Sequence, residues 1–328
     1  PINAATMGAH AQADVAAALN ASQVLEGVAN GITDGTVARR DICVQPTADA
    51  PTTFCDPTGF SVWAQIAASR SSFDAVDGFS EFDADTWSFA GGVDYAIDGN
   101  WKIGAFGAYA RTDADLGSVN GIFGPRDSEA DIDAGYGGGY VSAVYDNLYL
   151  TIAGMAGQAQ TDLTNGVLFN ATSDYDSFIW GLSGTIGAVM DLDGSGWAID
   201  PRLSVKYVET DTDEYTDSFG LDLDSGTEDL RVAATLGLLY QPQDSGFSLA
   251  ARAGVAYADY STEVDAFDPI TGTGASVTRD QDELMFTGSL DATFVLDDNI
   301  TINAIVSGDL GEDIETLRGN LGVSFKLN

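Results

Sequence analysis

The chain of 328 residues contains one histidine, two cysteines and four methionines. The histidine, His10, lies in the N-terminal segment, so no histidine is available as a general base in the patterned part of the chain that follows. The sequence has no phosphate-binding loop, no dinucleotide fingerprint and no cysteine or histidine spacing typical of zinc. These absences predict a protein that is not an enzyme and has no bound cofactor.

Basic residues are also scarce, since 13 Lys+Arg stand against 50 Asp+Glu and give a formal net charge of −37. Nucleic acid is not an expected partner, because its binding depends on neutralising phosphates. So much acid indicates solubility in a saline or calcium-rich medium, with discrete metal sites as the alternative. No apolar run approaches the ~18 residues of a transmembrane helix, whereas the 38 glycines fit many tight turns and two-faced strands.

The two cysteines, Cys43 and Cys55, stand close together in the sequence. In an oxidising compartment this spacing favours a disulfide over two free thiols. Ala9-His10-Ala11 has the form of a signal-peptide cleavage site, but no basic segment followed by an apolar one precedes it. We therefore expect the chain that begins at Pro1 to be a mature or trimmed form.

The last stretch of the chain, from Leu317 to Asn328, alternates between apolar and polar residues. The apolar face carries Leu317, Gly319, Leu321, Val323, Phe325 and Leu327, and the polar face carries Arg318, Asn320, Gly322, Ser324 and Lys326. A period of two predicts a β-strand. About ten such residues are enough for a tilted strand to cross a bilayer, with the apolar face toward lipid and the polar face toward a lumen.

The same alternation recurs from Gly59 onward and predicts twelve strands. Tight turns such as Asp98-Gly99-Asn100 and Asp146-Asn147 follow every second strand. Long acidic connections alternate with these turns and cover residues 70–83, 115–130, 162–174, 210–226 and 262–277. Short periplasmic turns and long extracellular loops are typical of outer-membrane barrels. We predict an all-β fold over residues 58–328, a 12-stranded antiparallel transmembrane β-barrel in the bacterial outer membrane.

Aromatic residues stand at the short-turn ends of many predicted strands. Among them are Tyr145, Tyr149, Trp101 and Trp197. Aromatic residues are enriched at both interfaces of a membrane. We expect these residues to form an aromatic girdle on the periplasmic side.

Residues 1–57 differ from the barrel sequence and form a separate predicted segment. Apolar residues near helical spacing, with small residues between them, predict a thin helix over about residues 11–32. They are Val15, Leu19, Leu25, Val28 and Ile32. Such a helix either packs on a surface or is slim enough to lie inside the barrel, and residues 33–57, which include both cysteines, are predicted to be a linker.

If the apolar faces contact lipid, seven basic residues point into the lumen. They are Lys102, Arg202, Lys206, Arg231, Arg252, Arg318 and Lys326. A Lys or Arg that faced lipid at the midplane would cost ~2–4 kcal/mol. The inward acids Asp94, Asp200 and Asp291 can pair with some of them and leave a modest basic surplus. This surplus belongs either to a salt-bridge network that stiffens the wall or to a lining that holds the N-terminal helix or biases a pore toward anions.

The predicted loop 210–226 contains two acidic clusters. Carboxylates at Asp211, Asp213, Asp222 and Asp224 offer oxygen ligands for Ca²⁺, although they do not match the EF-hand pattern. The alternative is a solvated loop with no ion bound.

Several motifs resemble the C-terminal translocator domain of monomeric autotransporters, the type V secretion proteins. They are Phe60-Ser61-Val62-Trp63-Ala64-Gln65, the strand from Asp85 to Tyr95, Asn100-Trp101-Lys102-Ile103-Gly104, and the ending from Gly319 to Phe325. The resemblance covers about residues 58–328. It implies a twelve-stranded outer-membrane barrel with a helix in its lumen, insertion by the barrel-assembly machinery, and a surface passenger that the barrel translocates or once translocated.

The chain departs from the family pattern at both ends. The family usually ends in an aromatic residue that acts as an assembly signal, together with the alternating residues before it. Here Val323, Phe325 and Leu327 occupy those positions, and Asn328 follows them. The segment before the first strand has room for a helix and a linker but not for a β-helical passenger.

Three functions remain open at this point. The first is a translocator that passes or anchors a surface passenger. The second is a passenger-less structural barrel whose acidic extracellular loops contact a surface layer, another partner or copies of itself. The third is a porin for small solutes.

Overall fold

The computed structural model describes residues 4–42, 59–75, 80–97, 100–121, 124–166, 171–192, 196–242, 246–296 and 299–327. One helix, α1 (Ala4–Ile42), precedes a series of antiparallel strands. The strands are β1 (Gly59–Phe73), β2 (Phe82–Ala96), β3 (Trp101–Gly121), β4 (Gly124–Tyr145), β5 (Leu148–Asn165), β6 (Ala171–Ala188), β7 (Trp197–Thr216), β8 (Asp222–Tyr240), β9 (Phe247–Asp268), β10 (Thr273–Val295), β11 (Ile300–Leu310) and β12 (Ile314–Leu327). Strand β6 resumes after Val189 as the short segment Met190–Leu192.

The sheet closes because its first and last strands pair. Each strand is antiparallel to its neighbours in sequence, and β1 pairs with β12 from Phe60–Leu327 to Phe73–Ile314. A closed barrel has no exposed sheet edge. The predicted 12-stranded antiparallel barrel is therefore confirmed.

Alternation along each strand sorts the side chains between lipid and lumen. In β12, Leu317, Leu321, Phe325 and Leu327 are exposed on the outer face, while Gly322 is buried on the inner face. The outer faces of the other strands carry the same kind of apolar belt, which replaces water with lipid contacts in a bilayer.

The aromatic girdle at the short-turn ends is present with one exception. Trp101, Tyr145 and Trp197 are exposed on the outer face. Tyr149 was predicted to join them, but it is 3% exposed and points inward, where its hydroxyl donates to Asp200 at 2.6 Å. Its position in β5 places it on the lumen face, so the prediction for Tyr149 was wrong.

The predicted extracellular loops are mostly strand. Residues 210–226, for example, consist of the ends of β7 and β8 with only residues 217–221 between them. The period of two continues here, but the outer face is acidic instead of apolar. The inner face carries Thr212, Ser225 and other small hydroxyl or apolar groups, and the outer face carries acids such as Asp211 and Asp224. A strand whose outward residues are carboxylates lacks the apolar alternation by which the other strands are predicted, so its sequence resembles that of a loop.

We call this charged extension of the wall the collar. It comprises the described residues within 70–85, 111–133, 160–176, 209–228, 259–282 and 311–316. Its outer face includes the exposed ion pairs of Arg70 with Asp83 and of Arg111 with Asp131. Charged side chains do not face hydrocarbon, so the collar stands outside the bilayer on the extracellular side.

Helix α1 runs through the lumen along the barrel. Its first described side chains pack inside the collar, where Met7 and Ala11 contact Leu223 and Val264. Near its other end Val37 packs with Tyr149 at the short-turn end of the barrel. The helix begins earlier and ends later than the predicted 11–32, so it includes part of the predicted linker. No helix among the described residues is long and apolar enough to cross a membrane.

Small residues allow α1 to fit into so narrow a space. Seven alanines of its first half are at most 4% exposed: Ala9, Ala11, Ala13, Ala16, Ala17, Ala18 and Ala21. A helix buried on all sides is expected to lack a polar face, but α1 also buries Asn20, Ser22 and Gln23. The wall supplies partners for several of these polar groups.

Inward aromatic rings lie over glycines of neighbouring strands in the first half of the barrel. A Cβ on Gly92 would come 2.6 Å from the Trp63 ring, and a Cβ on Gly104 would clash with the ring of Tyr140. The indole of Trp63 donates to the Tyr140 hydroxyl at 2.9 Å, which donates in turn to Asp94 at 2.9 Å. Glycine at these two positions leaves room for the rings of Trp63 and Tyr140 on the inner face of the wall.

Candidate functional site

The lumen at the membrane level contains two clusters of ion pairs that bind α1. The lower cluster lies near the periplasmic end and consists of Asp34 of α1, Arg202 and Asp200 of β7, Arg252 of β9 and Asp291 of β10. Asp34 Oδ1 accepts from Arg202 Nη2 at 2.7 Å and from Arg252 Nη2 at 3.1 Å. Their side chains are 5–8% exposed. The helix is thereby tied to two strands that are not adjacent.

Each arginine of the lower cluster also has a carboxylate partner on the wall. Asp200 Oδ2 lies 2.8 Å from Arg202 Nε and 3.0 Å from Arg252 Nη2. Arg252 also pairs with Asp291. Arg202 and Arg252 thus satisfy two wall acids as well as Asp34, so the lower cluster contains three acids and two bases.

The upper cluster lies about two helical turns closer to the collar. It consists of Glu26 of α1, Lys206 of β7, Asp229 and Arg231 of β8, Asp309 of β11 and Arg318 of β12. Glu26 lies 3.2 Å from Lys206 Nζ and 3.6 Å from Arg318 Nη1. Glu26 and Asp34 are eight residues apart, which corresponds to about 12 Å along a helix.

The wall residues of the upper cluster are also paired with one another. Asp309 accepts from Arg231 at 2.7 Å and from Arg318 at 2.8 Å, and Asp229 lies 4.0 Å from Lys206. Without Glu26, three bases would share two acids in a site where the most exposed side chain is 15% accessible. Removing one partner from a buried ion pair is strongly destabilising. Glu26 therefore completes the charge balance of the upper cluster.

The seven basic residues predicted for the lumen all lie on inner-face positions. Lys102 lies 3.8 Å from Asp94 with 20% of its side chain exposed, and Lys326 is half-buried near the periplasmic rim. The other five belong to the two clusters. Sequence reasoning missed Asp229 and Asp309, so the predicted basic surplus of the wall was too large. Asp229 stands two residues before Arg231 on the same face of β8, a spacing that could have revealed it.

Hydrogen bonds from uncharged side chains also hold α1 to the wall between the upper cluster and the collar. Asn20 Nδ2 donates to Thr112 Oγ1 at 3.0 Å, and the Tyr136 hydroxyl donates to Asn20 Oδ1 at 2.9 Å. Ser22 donates to Asp229 at 2.8 Å. These bonds use polar groups that would otherwise be buried without partners, which costs ~1–3 kcal/mol for each group.

A cavity of about 80 Å³ lies beside the helix next to both clusters. Its lining is mixed and includes the polar residues Asn30, Ser183, Thr185, Thr235 and Ser289. The collar end of the lumen is packed more tightly, since Met7, Ala11 and Ala13 are fully buried. The helix therefore fills the lumen most tightly at the collar, while a small cavity remains beside it at the membrane level.

The predicted calcium ligands do not form a cluster. Asp211, Asp213 and Asp224 are exposed on the outer face of the collar, and Asp222 accepts from Thr216 Oγ1 at 2.8 Å. Among the described residues, no group of three or more His, Cys, Asp or Glu side chains is arranged to hold a metal ion. Calcium binding stays a prediction.

The other predicted features lie at the ends of the chain. Cys43 and Cys55 fall outside the described residues, so their disulfide stays a prediction. Val323 is half-buried, whereas Phe325 and Leu327 are 41% and 52% exposed on the outer face of β12. There they belong to the apolar belt.

Residues 62–307 match the family model described as Autotransporter beta-domain. No curated protein sequence matches the chain. Solved translocator structures have the same fold. The β domain of the Bordetella autotransporter BrkA superposes with a TM-score of 0.61 at 16% identity, covering 82% of this chain and 100% of that one. The transport unit of AIDA-I from Escherichia coli gives 0.66 at 13% identity, covering 89% and 98%.

The translocator domain of NalP from Neisseria meningitidis gives a TM-score of 0.63 at 15% identity, covering 93% of this chain and 99% of that one. Because the family model spans well over half of the chain, the chain belongs to the autotransporter β-domain family. It is an outer-membrane barrel of the type V secretion class that translocates or anchors a surface passenger.

Proposed function

We propose that the barrel passes a passenger to the cell surface and that α1 then stays in the lumen as its anchor and plug. The observation that supports this most is the attachment of α1 to the wall through Glu26 and Asp34, with the N-terminal end of the helix inside the extracellular collar. A chain joined to that end would continue outside the cell. The barrel carries out no chemistry in this proposal.

Surface display of a reporter tests this proposal. A signal peptide and an epitope-tagged domain are joined ahead of Pro1, and intact cells are probed with antibody and with an external protease. We expect the epitope to be accessible and to be removed by the protease. A reporter that stays in the periplasm while the barrel is folded in the outer membrane would contradict the proposal.

We also propose that the barrel-assembly machinery inserts the chain and recognises the end of β12. Phe325 and Leu327 present apolar side chains on the outer face, as an alternating terminal signal requires. Phe325→Ala is expected to lower the amount of folded barrel, while Ser324→Ala on the inner face serves as the matched control. Equal assembly of the two variants would argue against this role.

A second candidate function is contact with a cationic partner, a surface layer or another copy through the collar. Acids lie directly opposite one another on its outer face, at Glu209–Glu228, Asp224–Asp265 and Asp259–Asp282. Like charges in such positions are destabilising, so a cationic partner or bridging Ca²⁺ would stabilise the collar. Crosslinking on intact cells, with and without a calcium chelator, tests both forms of this proposal; no crosslinked neighbour and no effect of the chelator would exclude it.

A further inference from the structure

A buried carboxylate lies near the extracellular end of α1 without a basic contact. Asp14 is 0% exposed, and its Oδ2 atom has no hydrogen-bond partner among the described residues. Among the described residues, the Tyr175 hydroxyl lies 3.4 Å from Oδ1, and the hydroxyls of Thr212 and Ser225 lie nearby. A buried charge without a counter-charge costs several kcal/mol. Asp14 is thus unlike Glu26 and Asp34, which pair with bases.

Asp14 lies above the bilayer, inside the collar. The strands that contact it present exposed acids on their outer faces at the same level: Asp176 on β6, Asp211 on β7 and Asp224 on β8. Carboxylates at these positions face water, so Asp14 lies outside the membrane-spanning part of the wall. Its protonation therefore responds to the external medium rather than to the periplasm.

Asp14 belongs to a cluster that includes one turn of the helix and two tyrosines of the wall. His10, one turn before Asp14, has its Nδ1 atom 2.7 Å from the Tyr215 hydroxyl. The Tyr215 ring stacks on the Tyr175 ring with centroids 4.2 Å apart. Through these contacts, β6 and β7 hold the segment from His10 to Asp14.

In the part of the chain that the structure describes, no other ionisable group places a positive charge against Asp14. Burial lowers the pKa of His10 to about 4, so His10 is neutral at physiological pH. Asp217, in the turn after β7, accepts from the backbone of Phe219 and Leu221. Arg279 of β10 lies over the Phe82 ring and donates to Gln281. Burial raises the pKa of Asp14 to about 7.

We propose that Asp14 is a proton-operated latch of the collar: the protonated carboxyl keeps the first turns of α1 packed in the wall, and the ionised carboxylate loosens them. This role depends on the position of α1 in the lumen and not on passenger transport. The two ideas can therefore fail separately, because a barrel that exports no reporter can still show the latch.

The direction of the pH effect follows from proton linkage. A solvated aspartate ionises near pH 3.8 and the docked Asp14 near pH 7. Between these values the docked state binds more protons, so docking weakens as the pH rises and levels off above about 7. Each unit of pKa difference between the two states changes the docking equilibrium constant tenfold. Between low and high pH this constant therefore falls by a factor on the order of a hundred to a thousand.

The test measures how fast a buried thiol near the end of the helix is alkylated. Met7, which is 0% exposed, is replaced by cysteine in a full-length chain that carries Cys43→Ser and Cys55→Ser, in outer-membrane vesicles. Rates with a maleimide are divided by those of an exposed reference, Ser276→Cys, to remove the pH dependence of the thiol. The matched control is the same protein with Asp14→Asn, a neutral residue of the same shape.

We expect the ratio of the Asp14 rate to the Asp14→Asn rate to rise at least tenfold between pH 5 and pH 8, because most of the weakening of docking falls between these two values. A ratio that does not change between pH 5 and 8 would overturn the proposal. So would protection of the Asp14 protein alone by Ca²⁺, Na⁺ or K⁺ at pH 8, because the pocket would then bind a metal cation in place of a proton.

A second variant keeps the proposal testable if Asp14→Asn does not assemble. Tyr175→Phe removes one hydroxyl from the contacts of Asp14 and leaves the ring stack intact. Because that hydroxyl stabilises the ionised form, its loss is expected to move the midpoint of the labelling profile to higher pH. An unchanged midpoint in a folded variant would contradict the latch.

Discussion

Glu26 and Asp34 both tie α1 to the wall, yet their removal is expected to have unequal effects. Glu26→Gln leaves three bases of the upper cluster with two acids, all buried. Losing one partner of a buried ion pair costs about 3 kcal/mol or more. We expect the C-terminal half of the helix to become less stable by this amount, roughly a hundredfold in its local opening equilibrium.

Asp34→Asn is the matched comparison because it removes the same charge from the same helix. The lower cluster has three acids for two arginines, so Arg202 and Arg252 still have Asp200 and Asp291 after the change. The neutral amide can also keep one hydrogen bond. The cost is expected to be about 1 kcal/mol, the scale of a single hydrogen bond.

Hydrogen exchange followed by mass spectrometry measures this difference directly. Peptides that cover residues 24–37 report local opening of the helix, and strand peptides of the same sample report the barrel as an internal control. Protection is expected to fall roughly a hundredfold in Glu26→Gln and by less than tenfold in Asp34→Asn. An equal loss in the two variants, or a larger loss in Asp34→Asn, would refute the assignment of charge balance to Glu26.

Two further predictions concern the lumen and its wall. Deleting residues 1–40 is expected to open a pore in planar bilayers that prefers anions, because seven inward bases then face five acids on the described wall below the collar. The full chain is expected to be closed, and cation preference after deletion would contradict the charge assignment. Gly104→Ala is expected to lower barrel stability by about 1–3 kcal/mol, measured by the urea dependence of heat-modifiable gel migration, because its Cβ would meet the Tyr140 ring, whereas Gly135→Ala, with open space around the added Cβ, is expected to be neutral.

Much of the barrel could be predicted because lipid and lumen impose a period of two on every strand. Leu317, Leu321 and Phe325 face lipid and Arg318 faces the lumen, as the alternation required. The collar could not be recognised in the same way. Its outer face is acidic, so residues such as Asp211 and Asp224 were interpreted as loop although they continue the strands.

The contacts of the helix were less predictable than the wall. A helix of small residues was expected, and its place in the lumen was one of two alternatives. Glu26 and Asp34 gave no local signal, because their role depends on bases that lie more than 150 positions later in the chain. The partners become apparent only when β7, β8, β9 and β12 are brought around one helix, as are the tyrosines that contact His10 and Asp14.

The position of α1 inside the barrel is the central claim, and a disulfide across the lumen tests it most directly. Asn20 and Thr112 are in hydrogen-bond contact at 3.0 Å, so Asn20→Cys with Thr112→Cys, in a chain that also carries Cys43→Ser and Cys55→Ser, is expected to crosslink in intact outer membranes under mild oxidation. The wall pair Ser177→Cys with Thr212→Cys, which are neighbours across β6 and β7, is the positive control. Crosslinking of both pairs is the predicted result; a wall pair that forms while the helix pair stays reduced would show that α1 does not occupy the lumen.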